Sequence, residues 1–377
     1  MNMHRIYLDY NASTPTDPAV VAAMRPFLED HYGNPSSGHW AAIPAKTAIE
    51  DARGQVAALL GCHNDEVVFT SGGSEANNLA LKGVFFALRH KGDHIITTRI
   101  EHPAIIEPCR FLESLGARVT YLPVDGTGRV NPDQLRKAIT PRTILVSIMH
   151  ANNEVGTIQP IGDCSQIAHE HGVLFHTDAA QSVGKVPTNA NQLGVDLLSI
   201  AGHKLYAPKG IGALFVRRGV SLEPLIHGAG HERGRRAGTE SALLAAGLGK
   251  ACELARDLAP MERVRGLRDY FWQELRERFG DGVVLNGPPT CRLPNTLNVS
   301  FVGHIGAEIL EGLDGVAAST GSACHSGRIE LSPVLEAMGV APEVGMGAVR
   351  FSLGRATTRD EIDAVVERLT HIRAAAG

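Results

Sequence analysis

The sequence predicts an α/β fold built on a large, mostly parallel sheet. Three observations predict it. Short apolar runs rich in valine and isoleucine alternate with helical patterns over the first two-thirds of the chain. The runs are nearly continuous in apolar character, as expected of strands covered on both faces. Polar, glycine-bearing segments follow the runs directly, and ligands bind such sheets at the carboxyl ends of their strands.

The elements follow in order. Val67–Thr70 predicts a strand, and the amphipathic stretch from Ser74 to about Arg89 a helix. His94–Thr98 is followed by a helical stretch from Pro103 to Leu115, and Ile144–His150 by one from Asp163 to His171. Val173–Asp178, Leu197–Ile200 and Gly212–Val216 complete the series. From about Thr239 to Arg278 the pattern changes to long helices, with Pro260 as a break. Strands at Val283–Leu285, Thr296–Phe301 and Val349–Leu353 follow, with helices near Ala307–Leu313 and Arg359–Ile372. The expected organisation is a large domain at 15–258 and a smaller α+β domain formed by 1–14 and 259–377. No internal repeat, low-complexity tract or long linker is present.

Composition narrows the function classes. The 377 residues are 44% apolar and 20% charged, which suits a globular protein with a large core. A net charge of -4 argues against a dedicated polyanion binder, so no direct nucleic-acid binding is expected. No apolar run is long enough to span a bilayer, and MNMHRIYLDY lacks the pattern of a signal peptide. A cytoplasmic protein without membrane attachment is the expectation. The six cysteines, at 62, 109, 164, 252, 291 and 324, form neither CxxC pairs nor zinc spacings, and no metal site is expected.

Four segments carry chemistry. Thr70-Ser71-Gly72-Gly73-Ser74-Glu75 runs from a strand through glycines into a helix, with Ser74 in the N-cap position. Glycines admit an anion close to the backbone, and free N–H groups with the helix dipole attract it. The segment reads as a phosphate cradle, although taken alone it is more simply a well-capped helix. Ser199 to Lys204 closes another strand with a lysine. Burial and neighbouring cations would fit Lys204 for Schiff-base chemistry, although most lysines are surface residues. Asp178 ends the strand at 173–178 and could pair with a protonated pyridine nitrogen, or serve only as a turn residue. Thr320 to Gly327 sets Cys324 among small residues beside His325 and Arg328, which would favour thiolate. A lone cysteine is also compatible with a structural role.

Taken in order, these residues resemble the cysteine desulfurases, fold type I pyridoxal-phosphate enzymes of the class V aminotransferase superfamily. The resemblance runs from Tyr7-Leu8-Asp9-Tyr10-Asn11-Ala12 to Val349-Arg350-Phe351-Ser352-Leu353-Gly354-Arg355. Between them lie Tyr32-Gly33-Asn34-Pro35-Ser36-Ser37, Glu101-His102, Asn152-Asn153-Glu154, Gly202-His203-Lys204 and Arg236-Ala237-Gly238-Thr239.

The resemblance implies conversion of L-cysteine to L-alanine with pyridoxal 5'-phosphate as cofactor. It implies that Lys204 holds the cofactor and moves the Cα proton, and that His102 stacks on the ring. Asp178 is implied at the ring nitrogen, and Gln181 and Asn153 near the phenolic oxygen. Gly73, Ser74 and His203 are implied as phosphate ligands. Thr239 would reach the phosphate of a neighbouring subunit, which implies a homodimer. Arg350 would bind the substrate carboxylate, with Asn153 and Asn34 assisting. Cys324 would take the sulfur as a persulfide and pass it to an acceptor protein.

Two departures stand out. Ala201 replaces a serine that bonds the phosphate in many relatives, and Glu330-Leu331-Ser332 replaces Glu-Pro-Ser. Ala201, the Cys324-His325-Ser326 start and Ser332-Pro333-Val334-Leu335 lean toward selenocysteine lyases, the alternative reading. An ordinary class V aminotransferase would gain nothing from Cys324. A noncatalytic scaffold would have no use for Lys204, Asp178 and Cys324 together.

Overall fold

The computed structural model describes residues 5–320, 324–325 and 328–376, with backbone alone at 324–325, 328–329 and 372–376. Its centre is a seven-stranded sheet. The strands are β1 (Val67–Thr70), β2 (His94–Thr98), β3 (Arg118–Leu122), β4 (Thr143–Ser147), β5 (Leu174–Asp178), β6 (Leu197–Ala201) and β7 (Gly212–Val216). They lie in the order β1-β7-β6-β5-β4-β2-β3. Only β7 runs against the rest, pairing antiparallel with both β1 and β6. The six others therefore present their carboxyl ends on one side.

The apolar runs that predict these strands are buried along their length in β1, β2, β4, β6 and β7. Helices cover both faces. On one face, α1 (Ile43–Leu60) and, further along the chain, a helix at Ala242–Ala255 contribute Ile49, Val56, Leu60, Leu248 and Ala251 to the core. The two helices approach closely because their contact is made of small residues. A Cβ on Gly249 would stand 2.6 Å from the Cα of Ala52. On the other face, α2 (Gly73–Leu88) and α3 (Pro103–Ser114) pack on the sheet. Buried Ala76, Leu79, Ala80 and Val84 fall at helical spacing along α2 and meet Ile95, Leu145 and Leu214.

A second core lies around an antiparallel sheet of β8 (Val283–Leu285), β9 (Thr296–Phe301) and β10 (Ala348–Ser352), with β9 in the middle. It includes Phe271, Phe351, Ile362 and Val366, and also Ile6 and Leu8 from the start of the chain. Phe271 and Phe351 pack with ring centroids 5.0 Å apart. The strand Ile6–Tyr7 pairs parallel with Val316–Ala317. Cys324–His325 pairs antiparallel with Arg328–Ile329.

Two elements go beyond the sequence reading, and one detail corrects it. The edge strand β3 is only partly buried, so its apolar pattern is weak. Helix α1 is rich in alanine and carries a shallow apolar face. The N-cap of α2 is Gly72, not Ser74. Gly72 sits at φ +152°, a conformation open to glycine, so the helix starts one residue before Ser74 and Ser74 lies inside its first turn.

Candidate active site

Five parallel strands deliver polar residues to one cavity of about 610 Å³. The segment after β1 supplies Ser71, Gly72, Gly73 and Ser74. His102 follows β2, Asn153 follows β4, and Asp178 closes β5. His203 and Lys204 lie in the 3-10 turn Gly202–Lys204 that leaves β6. Arg350 enters from β10 of the second sheet, and Asn11 from the first segment of the chain.

Lys204 is held at the cavity floor by carbonyls. Its Nζ donates to the backbone oxygens of Asn11 at 2.6 Å and Ala12 at 2.8 Å. Burial lowers its amine to about 8, and Arg350 adds to the fall while Asp178 and Asp9 oppose it. Near neutrality a larger fraction of this amine is unprotonated than of an exposed lysine.

Asp178 is buried and fixed on both oxygens. Asn77 Nδ2 donates to Oδ2 at 2.7 Å and the Ala180 amide to Oδ1 at 2.9 Å. His102 caps α3, its Nδ1 accepting from the Ala104 amide at 3.0 Å. That bond leaves the ring proton on Nε2. Withdrawal from bulk water lowers the His102 pKa, and Asp178 partly offsets this.

Gly73 and Ala201 touch across the cradle. A Cβ on Gly73 would lie 3.1 Å from that of Ala201. The first amides of α2 have no side-chain cap and border the cavity. Glu75, in that first turn, is engaged by the Ser71 amide at 2.8 Å and by Arg236 at 2.9 Å. His203 Nδ1 and Asn77 Oδ1 are buried and meet no partner among the described residues.

Arg350 is 8% exposed. Its Nη2 pairs with Asp9 at 2.7 Å and its Nη1 donates to the Asn153 carbonyl at 3.1 Å. Its Nε is buried without an acceptor among the described residues. Nearby, Ser332 caps the helix Pro333–Ala337 and donates to Glu154 at 2.5 Å.

The cavity thus brings together Gly73, Ser74, His102, Asn153, Asp178, Gln181, His203, Lys204 and Arg350. Asn34 and Thr239 do not line it. Asn34 accepts from the Ser36 amide, and Thr239 borders a neighbouring cavity that shares Ser71 and Gly210. The Cys324 side chain lies outside the described residues.

Asn11 is the residue that sequence reasoning underrated. It is 1% exposed and uses every polar atom. Its amide donates to Ser352 Oγ, and its Nδ2 to Thr296 Oγ1 and the Asn153 carbonyl. Its Oδ1 accepts from Asn295, and its carbonyl accepts from Gln181 as well as Lys204. Only its place in the Tyr7–Ala12 motif hinted at this. Among the described residues no cluster of histidine, cysteine and carboxylate suits a metal ion. No helix among them is long and apolar enough to cross a membrane.

The residues fit pyridoxal 5'-phosphate. Uncapped helix amides suit its phosphate, a fixed carboxylate suits its ring nitrogen, and a half-buried lysine suits its aldehyde.

Comparison with known proteins places this geometry. The family model for class-V aminotransferases matches residues 6–365. A cysteine desulfurase IscS of Dictyoglomus turgidum is 52% identical over 371 residues, 97% of this chain and 94% of that protein. A solved structure described as a NifS-like protein superposes with a TM-score of 0.92 at 38% identity, covering 98% of this chain and 100% of that one. Another, described as SspA in complex with cysteine, gives 0.84 at 39% identity over 94% of this chain and 100% of the other.

Proposed function

This chain belongs to the class-V aminotransferase family and is a cysteine desulfurase within it, and from that premise we propose how its own residues do the work. The substrate is L-cysteine, and the products are L-alanine and a persulfide on Cys324. The observation that carries the reading is the convergence of Lys204, Asp178, His102 and the uncapped α2 amides on one cavity that Arg350 also enters.

Pyridoxal 5'-phosphate, held by Gly73, Ser74, His203, Asp178 and Lys204, supplies an electron sink for the bonds broken at the substrate's α-carbon. Arg350, which borders the cavity, orients the substrate by its carboxylate through its guanidinium. The unprotonated Lys204 amine takes the α-proton, for which a lowered proton affinity suits it. His102 presents its ring to the cavity with the proton on Nε2. Asp178 stays anchored by Asn77 and Ala180, so its position does not depend on the ligand. Cys324 thiolate forms an S–S bond with the substrate sulfur while the C–S bond breaks. The electron pair stays with the carbon, which gains a proton and becomes the methyl group of alanine.

Thr239, outside its own chain's cavity, is read as a phosphate ligand for a second copy in a homodimer, and Asn34 as an accessory substrate contact. The sulfur then passes to an acceptor protein. The division into 15–258 and 1–14 with 259–377 stands as our domain reading, supported by the grouping of Ile6 and Leu8 with the second core.

The test is incubation of purified protein with L-cysteine, with and without reductant, measuring alanine and sulfide. With reductant, alanine and sulfide should form in equal amounts over many turnovers; without it, alanine formation should slow after about one equivalent per Cys324, as the persulfide fills the thiol. Alanine formation that requires an added 2-oxo acid would replace this reading with transamination.

A further inference from the structure

Beside Lys204 lies a buried amine that the chemistry above does not use. Lys185 is 8% exposed. Its Nζ donates to Gln181 Oε1 at 3.0 Å and more weakly to Asn11 Oδ1 at 3.4 Å. Both are neutral amide oxygens. Lys185 and Lys204 line one small cavity together with Tyr10, Tyr206, Asn295 and Arg355.

The electrostatic surroundings are unusual for a buried lysine. The charged groups that act on it, Lys204 and Arg350, are both cationic. The nearby carboxylates are committed elsewhere, Asp9 to Arg350 and Asp178 to Asn77 and the Ala180 amide. Burying an amine among neutral groups and cations is unfavourable, and a methionine would fill such space at lower cost. The position therefore needs a reason beyond packing.

The hydrogen bonds supply one. Because Lys185 donates to Oε1 of Gln181, the other end of that amide is turned toward the Asn11 carbonyl, where Nε2 donates at 2.9 Å. The same carbonyl receives Lys204. Its lone pairs are thus shared between a neutral donor and the Lys204 amine.

Resting on the reading of Lys204 as the cofactor lysine, we propose that Lys185 is a positioning residue for Lys204, acting through Gln181 and Asn11. It fixes which end of Gln181 faces Asn11, and so keeps the carbonyl from holding the Lys204 ammonium too firmly. Whatever positive charge it carries acts in the same direction, by repelling the proton on Lys204. Burial with Lys204 and Arg350 nearby lowers Lys185 itself to about 7, and its N–H groups remain donors on either side of that value.

The test compares full-length wild type with Lys185→Met and Lys185→Gln. Each protein, freed of cofactor, is trace-labelled with an amine acylating reagent across pH, and the Lys204 peptide is quantified. The wild-type midpoint should fall near 8. Lys185→Met loses both donor and charge and should raise the midpoint by on the order of one pH unit. Lys185→Gln keeps an amide donor on a shorter arm and should raise it less. A Lys185→Met midpoint equal to wild type overturns the proposal. If that variant does not fold, an unchanged midpoint in Lys185→Gln overturns it. A separate control is the visible absorbance of cofactor-loaded wild type and Lys204→Ala. Should wild type take up no cofactor at Lys204, the reading of Lys204 falls, while the labelling midpoints still decide the role of Lys185.

Discussion

Arg53 and Lys185 are both buried cations, 3% and 8% exposed, yet their surroundings have opposite logic. Arg53 forms a bidentate pair with Glu232, at 2.8 and 3.0 Å, and also donates to the Val67 carbonyl. The Phe69 amide donates to the same carboxylate at 3.0 Å. Every charge there has its opposite beside it. Lys185, with Lys204, belongs instead to a group of amines held by amide and carbonyl oxygens. Burial pulls every one of these groups toward losing its proton, so burial alone does not separate them. The partner does. A cation matched by a carboxylate keeps its proton and stiffens the structure, whereas an amine surrounded by neutral oxygens is ready to give the proton up.

The contrast breaks most sharply at Lys204. Lys204→Ala should lower alanine formation from L-cysteine at least about 10³-fold, since it removes the base outright. Turnover close to wild type would end the assignment. On the other side, Arg53→Met should leave the Glu232 carboxylate buried without its guanidinium. The expected loss of stability is about 3–5 kcal/mol by urea unfolding. Adding Glu232→Gln should recover part of that loss. A single variant as stable as wild type would show that the pair is not a structural one.

Arg350 sits between the two cases, with Asp9 as a carboxylate partner but no acceptor for its Nε among the described residues. Arg350→Gln should raise KM for L-cysteine about ten- to a hundredfold, the loss of a charge-assisted hydrogen bond. An unchanged KM would move the carboxylate site elsewhere.

Glu101 extends the comparison to a carboxyl group. Thr98 and the Met149 amide donate to its Oε1, but no cation among the described residues pairs with it, and burial raises it to about 8. The folded state therefore keeps a proton that the unfolded chain gives up near its ordinary value. Stability attributable to Glu101 should fall as pH rises from about 4.5 toward 8, by at most about 1.4 kcal/mol per pH unit. Glu101→Gln should flatten that slope in chemical unfolding between pH 5 and pH 8 (about three units). Equal slopes in both proteins would show Glu101 to be ionised in the fold.

Much of this was legible in the sequence because strand ends and glycines leave local marks. Thr70 through Ser74, Asp178 and Lys204 announce themselves by following apolar runs. The start of α2 was misplaced because Ser74 has the chemistry of a cap, while the cap is chosen by the backbone freedom of Gly72. Asn11 and Lys185 left no such mark. Their importance comes from partners far away in the chain, and single-residue chemistry says only that an asparagine and a lysine are usually exposed. β3 was missed for a related reason, since an edge strand need not be apolar throughout.

The hydrogen bond from the Asn11 amide to Ser352 spans 341 positions. During synthesis Asn11 leaves the ribosome well before Ser352. At roughly 5–20 residues per second, about 17 to 70 seconds separate their appearance. Until then the carbonyl that seats Lys204 lacks its final support, however early the seven-stranded sheet has formed. A nascent or prematurely terminated chain would therefore carry the lysine without its finished seat, and reactivity toward cofactor would wait until Ser352 has emerged and folded back onto Asn11.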